Sequence, residues 1–171
     1  AIFKEIPQYA GEDTFGAYES LIVLLESGLI TETNQEEVFA ILKEIPQYAE
    51  DDTEKTYDSL IVLLESGVVT EANQKEVFAM LKEIPQYAGS VIGLAYDSLK
   101  DLLILMKEKN LSLDQDSLVV ILNMIRQGGE NYDVTRTLDA IRDFILARVK
   151  DPAVETEPGS SNSLSALLSP I

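Results

Sequence analysis

The side chains that could do chemistry in this chain are carboxylates, hydroxyls and amides, because it contains no His, no Cys and no Trp. Without imidazole or thiol there is no His to activate a serine, no thiolate nucleophile and no Cys- or His-ligated zinc, while carboxylate pairs for acid/base work stay open because sequence does not fix their separation in space. Carboxylates cluster at Glu12–Asp13 and again at Glu50, Asp51, Asp52 and Glu54. A calcium site needs several such oxygens, but the D-x-D-x-D-G spacing is missing, and the third equivalent stretch reads Gly89-Ser90-Val91. Those acids suit the positive ends of helices instead. Ser20, Ser59 and Ser98 recur without a His or a Gly-x-Ser-x-Gly turn, and Gly128-Gly129 is a turn signal rather than a phosphate cradle. The expectation is a protein that is not an enzyme, with no catalytic residue, no metal and no cofactor.

Recurrence at fixed spacing offers binding chemistry instead. Tyr9, Tyr48 and Tyr87 are 39 residues apart, each preceded by Gln8, Gln47 or Gln86 and, five residues earlier, by Lys4, Lys43 or Lys82. Tyr supplies large contact area at low entropic cost, so this row is the expected partner-binding surface. A second row, Tyr18, Tyr57 and Tyr96, opens an apolar stripe and is expected inside. The Tyr48 row therefore lies nearer the surface than the Tyr57 row.

These rows exist because the chain repeats. KEIPQYA stands at Lys4–Ala10, Lys43–Ala49 and Lys82–Ala88, and residues 2–40 match residues 41–79 at 28 of 39 positions. Tandem duplication is the only economical source of such identity. Units at 2–40, 41–79, 80–118 and 119–150 follow, with Gln115 aligned on Gln74 by an insertion of two residues in the third inter-helix loop. RQGG (Arg126–Gly129) replaces PQYA in the fourth unit.

Each unit reads as two helices. Tyr18, Leu21, Ile22 and Leu25 form a helical stripe that Val23 and Leu24 widen, stopped by Gly28. Val38, Phe39, Ile41, Leu42 and Ile45 form the second, opened by an Asn34–Glu37 capping box and ended or kinked at Pro46. Helices are expected near 14–27, 35–45, 53–66, 74–84, 91–108, 114–127 and 131–149. Strand-like alternation is absent, so the fold is all-α. Pairs of about 39 residues bury two apolar faces only by stacking, which gives a right-handed α-solenoid over residues 1–150. The unit resembles a HEAT/armadillo-type repeat, with its recurring Pro, and the near-identical copies resemble tandem helical repeats in effectors of intracellular bacteria.

The charge is −17, from 13 basic and 30 acidic residues. Such a surface disfavours nucleic acid, and the absence of a long apolar segment argues against membrane insertion. A protein or peptide partner is expected, basic where it meets residues 2–79: net charges of the four 39-residue blocks from residue 2 are −7, −6, −2 and −2. What the resemblances imply is a non-catalytic interaction scaffold. The rivals are the targeting region of a larger effector enzyme whose catalytic part lies upstream, and a structural spacer. Localisation stays open, cytoplasmic or as a secreted effector. The chain reads as opening partway through a second helix, and that edge (Ile2, Phe3, Ile6) offers a route to self-association. Residues 151–171 form a Pro/Ser-rich tail, in which Leu164, Leu167 and Leu168 have the spacing of a short helical anchor that docks in a groove or on another copy.

Overall fold

A computed structural model describes residues 14–128, 133–149 and 163–168. They form eight α-helices: α1 (Thr14–Glu26), α2 (Gln35–Ala49), α3 (Thr53–Glu65), α4 (Gln74–Ala88), α5 (Ile92–Glu108), α6 (Gln115–Gly128), α7 (Asp133–Val149) and the short α8 (Leu164–Leu168). Among the described residues the only β-type pairing is one isolated bridge, Ser112 to Ser163. The fold is all-helical.

Contacts divide the helices into two rows. The odd-numbered helices α1, α3, α5 and α7 pack one on the next, and α2, α4 and α6 do the same. Their shared core includes Leu21, Leu24, Ile41, Leu42, Ile45, Leu60, Leu63, Met80, Leu81 and Ile84. The broad stripe of α1 is only partly buried: Leu21 and Leu24 are covered, whereas Ile22 is 44% and Leu25 40% exposed. Their counterparts one repeat later, Ile61 and Leu64, are 7% and 9% exposed, because α3 has α1 against it.

Pro46 and Pro85 do not end their helices. Both lie inside α2 and α4, which run on to Ala49 and Ala88 rather than stopping at 45 and 84. A proline within a helix removes the N–H that would bond the carbonyl four residues back, here Leu42 or Leu81. The structure supplies that donor from elsewhere. The Tyr57 hydroxyl donates to the Leu42 carbonyl at 2.9 Å, and Tyr96 donates to Leu81 at 2.9 Å. The helix therefore passes its proline with no carbonyl orphaned. Both tyrosines have no exposed surface, as the sequence pattern predicts, whereas Tyr18, the first of the row, is only partly buried.

Two further expectations change. Asn34 and Asn73 make no side-chain capping bond to their helices. Each staples its own loop: Oδ1 accepts from the Thr31 or Thr70 amide at 2.7 Å, and Nδ2 donates to the Leu29 or Val68 carbonyl at 3.0 and 2.9 Å. The preceding turn already closes through the amides of Asn34 and Gln35 onto the Thr31 carbonyl, which turns the amide side chain back into the loop. The two-residue insertion of the third unit does not lengthen its loop. It goes into α5, which has 17 residues where α3 has 13, and the following connection shortens to 109–114 from 66–73. Asn110 then takes the positive φ (52°) that Gly28 and Gly67 take after α1 and α3.

The joint between α2 and α3 is a single 3₁₀ turn, Glu50–Asp52, and Gly89–Val91 makes the equivalent joint after α4. Glu50 has φ 49° and ψ −119°, and Gly89 has φ 54° and ψ −135°. Such backbone is easy for glycine and costs a residue with a Cβ about 1–3 kcal/mol. The sequence puts Gly at the first and third of these positions (Gly11, Gly89) and Glu at the second. Glu50→Gly should therefore raise stability by about 1 kcal/mol, read as a higher urea midpoint at unchanged slope. A loss of stability would show that the Glu50 conformation is unstrained.

Candidate functional site

The row expected to bind a partner falls on the α2 and α4 side of the molecule. Lys43, Gln47 and Tyr48 are exposed on α2; Lys82 and Gln86 are exposed on α4. Their first counterparts, Lys4, Gln8 and Tyr9, lie outside the described residues, as do Ile2, Phe3, Ile6, Glu12 and Asp13. The helices continue past their prolines, so Gln47, Tyr48, Gln86 and Tyr87 project from the last helical turn rather than from a loop. Gln47 Nε2 returns to the Lys43 carbonyl at 3.2 Å, an i to i−4 contact that only a continuous helix permits.

The two tyrosines are not equivalent. Tyr48 is 36% exposed, whereas Tyr87 is partly buried and packs against the core. Tyr87 also stands near the fourth unit, where Arg126 occupies the proline position. Its guanidinium grips Glu83 in a two-pronged bond, Nε–Oε1 at 2.5 Å and Nη2–Oε2 at 3.0 Å. Tyr87 lies near the same guanidinium. Glu44, the counterpart of Glu83, has no such arginine, and its Oε2 is buried without a hydrogen-bond partner. Sequence spacing made Tyr48 and Tyr87 a matched pair; the arginine near Tyr87 is visible only once α6 is packed.

Between α2 and α4 runs a groove of about 290 Å³ lined by Thr33, Glu37, Gln74, Lys75, Phe78 and Lys82. Of the expected row, Lys82 alone lines it, while Gln47, Tyr48 and Gln86, the candidate ridge, are exposed on the same helices and do not line the groove. Thr33, Glu37 and Phe78 were not singled out as site residues, although Phe39 and Phe78 stand 39 apart in sequence. A second cleft of about 370 Å³ lies where α5 meets α3, lined by Asp52, Lys55, Thr56, Ser59, Ser90 and Asp97 among others. There Lys55 is held by Asp52 at 2.8 Å, and the Thr53 and Thr56 hydroxyls donate to the Glu50 and Asp52 carbonyls. Of the acids at this joint, Asp52 thus has its carboxylate in an ion pair, and the turn itself is held by main-chain carbonyls. Among the described residues no group of three or more acids is placed to hold a metal ion, and no helix is long and apolar enough to cross a membrane.

The tail is seated. Leu164 has no exposed surface, Leu168 packs against the core, and α8 lies on α6. The Leu164 amide donates to the Ser112 carbonyl at 3.1 Å, and the Ser165 amide donates to Ser117 Oγ at 2.8 Å. Ser117 in turn gives its amide (2.8 Å) and hydroxyl (2.5 Å) to Asp114 Oδ1. These bonds, with the one from the Ser117 side chain foremost, hold the Asp114 carboxyl below the usual range.

No family model, curated protein or solved structure matches this chain.

Proposed function

We propose that the chain is a right-handed α-solenoid of about four two-helix units, of the HEAT/armadillo type, that serves as a non-catalytic scaffold for protein interaction. The supporting observation is the division of labour between the two tyrosine rows. Tyr57 and Tyr96 are buried and hold the stack, whereas Lys43 and Lys82, and Gln47 and Gln86, recur on its exposed α2–α4 side together with Tyr48. Duplication repeats core and surface alike, and only the surface residues are available to a second molecule. A groove beside the ridge accepts a peptide or a helix. The acidic excess of residues 2–79 selects a basic one.

The test is an array of basic and acidic peptides of equal length presented to the immobilised chain. Basic peptides should be retained, and their association rate should fall about tenfold between 0.05 and 0.5 M salt, because exposed charges are screened beyond about 10 Å at 0.1 M. Joint replacement of Gln47, Tyr48 and Gln86 by Ala should weaken binding at least tenfold while leaving the thermal midpoint nearly unchanged. Binding that ignores both salt and these replacements would leave the spacer reading in its place.

A further inference from the structure

Departures from the repeat, rather than the repeat itself, build the seat of the tail. In the first two units the loop between the helices closes on itself through its Thr and Asn. In the third, Asp114 stands where Asn34 and Asn73 stand, and Leu111 stands where Thr31 and Thr70 stand. A carboxylate has no N–H to give back to the loop, so Asp114 turns forward and caps α6 through Ser117. The loop is two residues shorter, and its Ser112 pairs with an incoming segment as one strand residue pairs with another. Ser117, itself buried, then offers its oxygen to the next amide of that segment.

What occupies the seat is a short linear pattern: Ser163 in extended backbone, Leu164 buried outright, Ser165 on Ser117 and 3.4 Å from Asp114 Oδ2, then one helical turn that brings Leu168 to the core. Two main-chain amides fix the register, and two leucines four apart supply the apolar contact. Peptide-recognition sites combine main-chain pairing with a few side-chain pockets in the same way. The segment is joined to α7 by residues 150–162, whose only apolar side chains besides proline are Ala153 and Val154.

We propose that the Ser112–Ser117 corner is a recognition site for a linear peptide motif, extended Ser-Leu-Ser leading into a helical turn with a second Leu four residues after the first, and that residues 163–168 fill it as a detachable plug until a partner protein presents the same pattern. Because plug and seat belong to one chain, the plug acts at an effective concentration of about 1 mM. A competing segment therefore binds the intact chain more weakly than it binds a chain whose plug has been loosened. This site is separate from the α2–α4 face and does not depend on what binds there.

The test uses full-length protein and a labelled peptide of residues 161–171 (SNSLSALLSPI). Two variants loosen the plug without touching the seat: Leu164→Ser removes the buried leucine, and Ser165→Asp sets a like charge beside Asp114. The peptide should bind both variants one-to-one and at least tenfold more tightly than the intact chain, and the same peptide carrying Leu164→Ala should lose at least tenfold. Circular dichroism confirms that each variant is folded, and Ser165→Asp keeps the test open if Leu164→Ser is not. No binding by a folded variant would overturn the site; equal binding by intact and loosened chains would overturn the plug; equal binding by the Leu164→Ala peptide would overturn the motif.

Discussion

Tyr57→Ala should bring the chain close to unfolding, while Tyr48→Ala should cost less than about 1 kcal/mol. Tyr57 has no exposed surface, so its truncation carries the transfer and cavity cost of a buried aromatic, about 3–5 kcal/mol. It also strands the Leu42 carbonyl, whose donor Pro46 cannot replace, at a further cost of about 1–3 kcal/mol. Against a typical total of about 5–15 kcal/mol that is a large fraction. The hydrogen bond can be isolated by a four-protein cycle. Tyr57→Phe keeps the ring and removes only the hydroxyl. On the native background it should cost about 1–3 kcal/mol. On a Pro46→Ala background it should cost at least about 1 kcal/mol less, because an alanine there has an N–H for the same carbonyl. Urea titrations of the four proteins give the coupling directly, and strictly additive effects would mean that the tyrosine does not stand in for the missing amide.

Alkali should unfold this protein more steeply than its size suggests. Burial raises the phenol pKa of Tyr57, and burial, the Glu44 charge and Tyr57 raise that of Tyr96 further. The sign follows from linkage. Below pH about 10, the unfolded value, both states keep the proton and stability does not depend on these groups. Above it the unfolded chain releases protons that the native chain holds, so stability falls as pH rises toward the folded values. Two such groups give a slope of up to about 2.7 kcal/mol per pH unit. Urea midpoints measured between pH 8 and 11.5 should show this fall, and Tyr57→Phe should remove about half of the slope. The loss of lysine charge is common to both proteins and cancels in the comparison. Spectrophotometric titration supplies a second check: Tyr57 and Tyr96 should ionise only together with the loss of helix. Ionisation of both in a chain that keeps its helical signal would contradict their burial.

Much of this was legible in the sequence because duplication writes the same physics two or three times. The helix positions, the glycine stops at Gly28 and Gly67 and the ranking of Tyr57 as more buried than Tyr48 all follow from local pattern and spacing. What misled was information held by another helix. Pro46 reads as a terminator because its local effect is to remove a donor, and the replacement comes from a residue on α3. Asn34 reads as a cap because it precedes a helix, yet its amide finds better partners behind it. The spacing of Leu164, Leu167 and Leu168 announced a docking helix, but not the receptor, which depends on Asp114 failing to do what Asn73 does. For the candidate ridge, spacing located the residues, and only packing separated Tyr48 from Tyr87.

The proline-to-tyrosine bond also governs how copies of this unit can be gained or lost. Pro46 and Tyr57 are eleven residues apart and lie on either side of the joint at Glu50–Asp52, as Pro85 and Tyr96 lie on either side of Gly89–Val91. A recombination crossover in the loop after Gly28 or Gly67 transfers both members of a pair together. One at the 3₁₀ joint divides them, and where the flanking unit is not a faithful copy it leaves a carbonyl with no donor or a buried hydroxyl with no acceptor. The fourth unit has lost both members, with Arg126 at the proline position and Thr137 eleven residues beyond it. The phase of an exchange therefore matters at the edge of the array: blocks cut in the glycine loops carry their own pair, whereas blocks cut at the joints depend on the neighbouring unit to complete it.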